Sequence, residues 1–148
     1  MSSSLEEMVI ENLERGYLCS ESVIKASAEY MGASWDRIPA IATGLGGGIG
    51  ITGDACGALT GAVLALGLAF GRSTPDQDPF PCAIHVQELA EQFQKRFGSV
   101  NCPDIIGIDL RTEEGRDKAT AEGLINLPCK DSCVLAARYL AGIIPARA

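Results

Sequence analysis

The chain has 148 residues, of which 47% are hydrophobic, 21% charged and only 5% aromatic. That length suits one domain able to bury about 70% of its unfolded surface, the apolar content excludes disorder, and the core must be filled by small and aliphatic side chains that favour close helix packing. With 12 basic against 19 acidic residues the net charge is −7, and no Lys/Arg cluster relieves it, so nucleic acid is excluded as an expected partner.

Taken in chain order, Ser3/Glu6 and Ser4/Glu7 form two overlapping capping boxes, which predict a helix over residues 5–15 stopped by Gly16. A second helix follows. Cys19, Val23, Ala26, Tyr30 and Met31 recur at helical spacing up to Gly32, with Cys19 at its start and facing inward.

Residues 38–70 hold a single charge, Asp54, and nine of the 17 glycines. The apolar run 55–70 is 16 residues long, short of the roughly 20 needed to span a bilayer, and the glycines before it would break any helical extension. The reading is therefore a buried central helix from near Asp54, with Cys56, Thr60, Val63 and Gly67 on one face. Gly57, Gly61 and Gly67 are expected to let neighbouring helices approach.

Pro75, Pro79 and Pro81 mark a loop over 71–81, and a helix follows over 81–97 with Cys82, Val86, Leu89 and Phe93 inward, closed by Gly98. Asn101-Cys102-Pro103 opens a short segment ending near Leu110. A helix capped at Thr112 runs to about Gly123, and a last helix capped by Asp131 carries the stripe Cys133, Ala137, Leu140 and Ile144. Residues 38–41 and 105–108 offer only faint strand alternatives. The fold class expected is all-α: one domain over residues 1–148, a compact bundle of five to six helices around a Gly/Ala-rich central helix.

The first 15 residues lack the basic start and continuous apolar stretch of a secretory signal, so a cytoplasmic location is expected. Six cysteines, at 19, 56, 82, 102, 129 and 133, are too sparse for a disulfide scaffold and suggest chemistry in a reducing compartment, although a free cysteine is often only a small buried hydrophobe. Cys56 falls at the start of the central helix, where exposed amides favour a thiolate; Cys19, Cys82, Cys102 and Cys129 also lie near helix starts. None forms C-x-x-C. Cys82/His85 and Cys129/Cys133 stand at i, i+3 and i, i+4, spacings that can share one helix face as soft ligands, but His85 alone reads better as a partly exposed helix-edge residue. Glu113 and Glu114 read as support for a helix N-terminus, and no hydrolase signature is present. The pattern Gly48-Ile-Gly50-Ile-Thr-Gly53 satisfies G-x-G-x-x-G but has no βαβ context, so a flexible or tightly turned connector is the better reading than a dinucleotide site.

The helix-start Cys19, the run Gly46-Gly-Gly-Ile-Gly50 leading to Cys56-Gly57-Ala58-Leu59-Thr60-Gly61, then Cys102-Pro-Asp-Ile-Ile-Gly-Ile-Asp109 and Cys129 resemble the C_GCAxxG_C_C family over about residues 5–144. The resemblance implies a small helical domain with a redox role and four characteristic cysteines, which fall on Cys19, Cys56, Cys102 and Cys129. Cys82 and Cys133 are then extras, Cys133 at a position expected to be a core hydrophobe. This chain reads Cys-Gly-Ala where the family label writes Gly-Cys-Ala.

Two functions follow as expectations. In the first, Cys19, Cys56, Cys102 and Cys129 gather from four helix ends, either to cycle between dithiol and disulfide with Cys56 as nucleophile, or to hold an iron–sulfur cluster or another thiophilic metal, with Cys82, His85 and Cys133 as weaker ligand candidates. In the second, the chain is a non-enzymatic helical module with structural zinc or merely packed cysteines. A redox partner and a homo-oligomer contact through the Gly-rich segment are the expected partners; the cofactor stays open between iron–sulfur and zinc. A peripheral membrane role rests only on the apolarity of 38–70.

Overall fold

The computed structural model describes residues 3–148, the side chain of Leu124 excepted; Met1 and Ser2 of the expected domain lie outside the described residues. Among the described residues the chain is all-helical: α1 (Leu5–Glu14), α2 (Cys19–Met31), a 3₁₀ segment (Ala40–Leu45), α3 (Gly57–Phe70), α4 (Phe80–Phe97), α5 (Cys102–Ile106), α6 (Glu113–Glu122), a 3₁₀ turn (Leu124–Asn126) and α7 (Cys129–Ala141). There are thus seven α-helices rather than five or six, the extra one being the short α5. No described helix is long and apolar enough to cross a membrane.

Local chemistry sets most boundaries. Of the two overlapping boxes, Ser4/Glu7 forms: the Glu7 amide donates to Ser4 Oγ at 3.1 Å and the Ser4 amide to Glu7 Oε2 at 3.3 Å. Gly32, Gly98 and Gly107 end α2, α4 and α5 in the left-handed conformation that glycine adopts without penalty. Thr112 Oγ1 caps α6 by accepting the Gly115 amide at 2.9 Å.

Three expectations need correction. The central helix starts at Gly57, not near Asp54, because Asp54–Cys56 run extended and spend their backbone groups elsewhere: the Cys56 amide donates to the Val100 carbonyl at 2.7 Å and the Cys102 amide to the Asp54 carbonyl at 2.9 Å, an isolated antiparallel bridge centred on Ala55 and Asn101. The last helix starts at Cys129 behind Pro128, whose fixed φ pre-forms the first turn, so Asp131 sits inside that turn instead of capping it. The faint strand alternatives, set aside in favour of helix, are not strands: 38–41 leads into the first 3₁₀ segment, 105–106 belongs to α5 and 107–108 form a bend. Gly67 is exposed with no neighbour in its side-chain direction, so of the three glycines of α3 only Gly57 and Gly61 permit a close approach.

That approach is to α2. A Cβ on Gly61 would stand 2.6 Å from the Ser20 carbonyl oxygen, and one on Gly57 would stand 2.5 Å from Cys19 Sγ. The backbones of α2 and α3 therefore touch at their N-terminal ends, and α3 also packs on α4 and α7. The buried core is one cluster drawing on α1 (Leu5, Val9, Leu13), α2 (Val23, Ile24), α3 (Ala58, Ala62, Leu66), α4 (Leu89, Phe93) and α7 (Ala137, Leu140). The expected stripe of α7 is buried throughout, from Cys133 to Ile144.

Between the first 3₁₀ segment and the bridge, Gly47, Gly48, Ile49, Gly50 and Ile51 all have φ between 61° and 76°, so the G-x-G-x-x-G pattern forms a left-handed turn and not a phosphate loop after a strand. Two β-branched residues in that region cost about 1–2 kcal/mol each. The turn is held closed by the Asp54 amide on the Gly48 carbonyl at 2.9 Å and by Thr52 Oγ1, which donates to the carbonyls of Gly48 and Ile49 at 2.9 and 2.8 Å.

Candidate functional site: a buried thiol cluster

The helix starts that the sequence singled out converge. Cys19 opens α2, Cys56 caps α3, Cys102 opens α5 and Cys129 opens α7. The Ala55–Asn101 bridge fixes one pair: Cys56 lies opposite Val100, so Cys102 is its diagonal neighbour on the same face, a relation that sets Cα atoms about 7–8 Å apart. The Gly57–Cys19 approach fixes another, and a Cβ on Gly48 would come within 2.9 Å of the Cys102 Cβ, so the left-handed turn lies directly on that residue.

Ser132 ties α7 to the cluster. The Cys56 thiol donates to Ser132 Oγ at 3.5 Å, and that hydroxyl donates to the Cys129 carbonyl at 2.9 Å. Cys133, one turn beyond Cys129, points its thiol at the Cys19 carbonyl at 3.9 Å. It is therefore a fifth member of the group, which the sequence reading favoured as a core hydrophobe and kept only as a weaker ligand candidate. Its 0% exposure agrees with that reading, but its neighbours are sulfurs. The i, i+3, i+4 spacing of Cys129, Ser132 and Cys133 was the signal that placed all three on one helix face.

All six cysteines are free thiols. The five of the cluster are between 0% and 8% exposed, and their acidity reflects this. Burial, followed by the charges of Cys56, Cys129 and Cys102, pushes the Cys19 thiol well above its ordinary value. Cys133 is pushed the same way by burial and then by Cys19, Cys56 and Cys129. Burial and the Cys56 charge raise Cys102 to about 11; burial, Cys56 and Cys102 raise Cys129 to about 12. Cys56 is also raised by burial, but the Ser132 hydroxyl and the backbone amides of Ala58 and Leu59 at the start of α3 act against it. Cys56 is thus the one cluster thiol with a hydroxyl and helix amides turned toward its ionised form.

A cavity of about 310 Å³ opens onto the cluster, lined by Cys19, Cys102 and Cys129, by the side chains of Leu18, Thr43, Ile51 and Leu110, and by the backbone of Gly46, Gly47 and Gly50. Cys56 and Cys133 do not line it; they form a second layer behind. A larger depression of about 730 Å³, near Met8, Tyr30 and Arg147, contains no thiol.

Cys82 and His85 stand apart. The His85 ring packs on Phe70 with centroids 4.5 Å apart, and its Nδ1 is 3.3 Å from the Tyr139 hydroxyl, which also reaches Glu88 Oε2 at 2.7 Å. Phe70 is the last residue of α3 while Cys56 precedes its first, a separation of about 20 Å along the helix. His85 is the helix-edge residue the sequence suggested. Among the described residues, no group of three His, Cys, Asp or Glu side chains is placed to hold a metal ion.

Comparison with known proteins gives one match. A family model described as "Putative redox-active protein (C_GCAxxG_C_C)" covers residues 17–143. No curated protein and no solved structure matches the chain significantly.

Proposed function

Because the chain belongs to the C_GCAxxG_C_C family of redox-active proteins, we propose that it works as a single helical domain, bundled about α3, in which the clustered thiols cycle between dithiol and disulfide in a reducing, cytoplasmic setting. The observation that carries this reading is the layered arrangement of the sulfurs: three on the wall of one cavity, and Cys56 behind them beside Ser132 and the amides of α3.

Cys56, the nucleophile expected from the sequence, does not line the cavity, so Cys102, which lines it and stands diagonal to Cys56, takes the incoming disulfide. Its sulfur bonds to one sulfur of the substrate, the substrate S–S bond breaks, and one reduced half leaves with a proton. Cys56, diagonal to Cys102 across the bridge, then attacks the mixed disulfide as thiolate. The Cys56–Cys102 bond forms as the short bridge shifts to draw the two Cα atoms from their diagonal spacing to within the about 7 Å that a disulfide needs, the second half leaves as thiol, and the protein has given up two electrons and two protons. Disulfide exchange is the preferred reading because it needs sulfurs only in pairs, and the bridge holds Cys56 diagonal to Cys102.

The test is oxidation of the anaerobically reduced native protein with diamide, followed by peptide mapping. The expected product is a disulfide between Cys56 and Cys102 that dithiothreitol reverses, with Cys82 unpaired as internal control. Cluster thiols that stay reduced in native protein and react only in denaturant would establish mere packing. Stoichiometric iron or zinc on unreactive thiols would overturn the reading in favour of a metal centre.

A further inference from the structure

Resting on the disulfide-exchange reading, we propose that the cavity at the thiol cluster selects its substrate by charge, and that the substrate class is a small, uncharged disulfide.

Among the described residues none that lines the cavity is charged: three thiols, the aliphatic side chains of Leu18, Ile51 and Leu110, a threonine and glycine backbone make its walls. The one hydroxyl in that wall is spent, because Thr43 Oγ1 donates to Glu21 Oε2 at 2.6 Å. Glu21 in turn accepts the Leu18 amide on its other oxygen at 2.9 Å, so a carboxylate is anchored beside the cavity. Arg111, which reaches the left-handed turn at Gly53, is held in a two-pronged pair by Asp109, with contacts of 2.9 and 3.0 Å. An anion that entered would therefore meet no cation among the lining residues and one fixed negative neighbour, the nearby Arg116 having its Nη1 on the carbonyls of Leu110 and Arg111 at 3.0 and 3.1 Å. A cation would meet protonated thiols, methyl groups and one carboxylate, Glu21, whose two oxygens already accept from the Leu18 amide and the Thr43 hydroxyl. An anion would therefore give up its hydration without a partner, and a cation with only a partner already engaged. An uncharged molecule gives up little and gains apolar contact with Leu18, Ile51 and Leu110.

The reaction balances within the named reactants. Two protein thiols and one substrate disulfide yield one protein disulfide and two substrate thiols, the protein being oxidised and the substrate reduced.

The experiment follows oxidation of the reduced full-length protein by three disulfides of similar size: bis(2-hydroxyethyl) disulfide, uncharged; dithiodiglycolate, a dianion; and cystamine, a dication. Each rate is divided by that of the same reagent with dithiothreitol, which removes intrinsic reactivity. The uncharged reagent is expected to lead both charged ones by at least about tenfold after this correction. Equal corrected rates, or a lead by either charged reagent, would overturn the proposal. One variant adds a readout that a general loss of activity would not move: Leu110→Lys, which places a cation in the wall, is expected to raise the ratio of the corrected dithiodiglycolate rate to the corrected bis(2-hydroxyethyl) disulfide rate at least several-fold, and an unchanged ratio would overturn selection by charge. A protein that forms its disulfide with diamide but with none of the three reagents sinks the substrate assignment and leaves the exchange reading standing. Failure with diamide as well sinks the exchange reading itself.

Discussion

Ser132 has no exposure to solvent and two partners that compete for one proton. With Cys56 protonated, the hydroxyl accepts from the thiol and donates to the Cys129 carbonyl. When Cys56 ionises, the same hydroxyl can turn and donate to the thiolate, leaving the carbonyl to its other lone pair. A hydrogen bond of this kind contributes about 1 kcal/mol, roughly a fivefold change in an equilibrium. Ser132→Ala is accordingly expected to raise the midpoint of the Cys56 pH profile, read by differential alkylation and mass mapping, by roughly half to one pH unit. Ser132→Thr, which keeps the hydroxyl, is expected to restore it. An unchanged midpoint in the alanine variant would make the serine a packing residue only. At this scale the sequence was largely readable: cysteines at helix starts advertise sites where exposed amides converge. Cys133 ranked only as a weaker candidate because a small apolar-like residue within an Ala/Leu stripe has the same spacing whether its neighbours are methyl groups or sulfurs.

The glycines of α3 show how one element serves two purposes. Gly61 faces the Ser20 backbone, where a Cβ would meet a carbonyl oxygen at 2.6 Å that has no room to retreat; Gly67 faces open space. Alanine gains about 1 kcal/mol in helix propensity at either position, but at Gly61 overpacking of up to about 3 kcal/mol outweighs it. Gly61→Ala is expected to destabilise by about 2 kcal/mol and Gly67→Ala to stabilise by about 1 kcal/mol, both measured by urea unfolding. The same sign at both positions would mean that α2 and α3 part easily. Helix existence was legible from caps and stop signals, since both are local. The Asp54–Cys56 bridge to Val100–Cys102 was not, because three-residue pairing across 46 positions is fixed by tertiary context and leaves no periodic trace. The turn at 48–53 was legible as a connector, but not its left-handed conformation, in which isoleucines at 49 and 51 contradict their own backbone preference.

For the whole molecule the five raised thiols couple stability to alkali. A thiol whose folded pKa exceeds its ordinary 9.0 supports the fold fully below that value and loses this contribution as pH climbs through the folded values, about 11 for Cys102 and about 12 for Cys129. Each thiol that ionises only on unfolding removes about 1.4 kcal/mol per pH unit. The reduced protein is therefore expected to weaken steeply from about pH 9 upward in urea titrations, and the diamide-oxidised protein less so, since a disulfide has no proton to lose. Equal slopes for the two forms would show that the cluster ionises without disturbing the fold. The exposed connection over residues 71–79, between α3 and α4, adds a topological consequence. A protease nick there would leave Cys19 and Cys56 on one fragment and Cys102, Cys129 and Cys133 on the other. Severed halves that migrate together on a denaturing gel would then record oxidation as a covalent reunion, and halves that separate would record the reduced state.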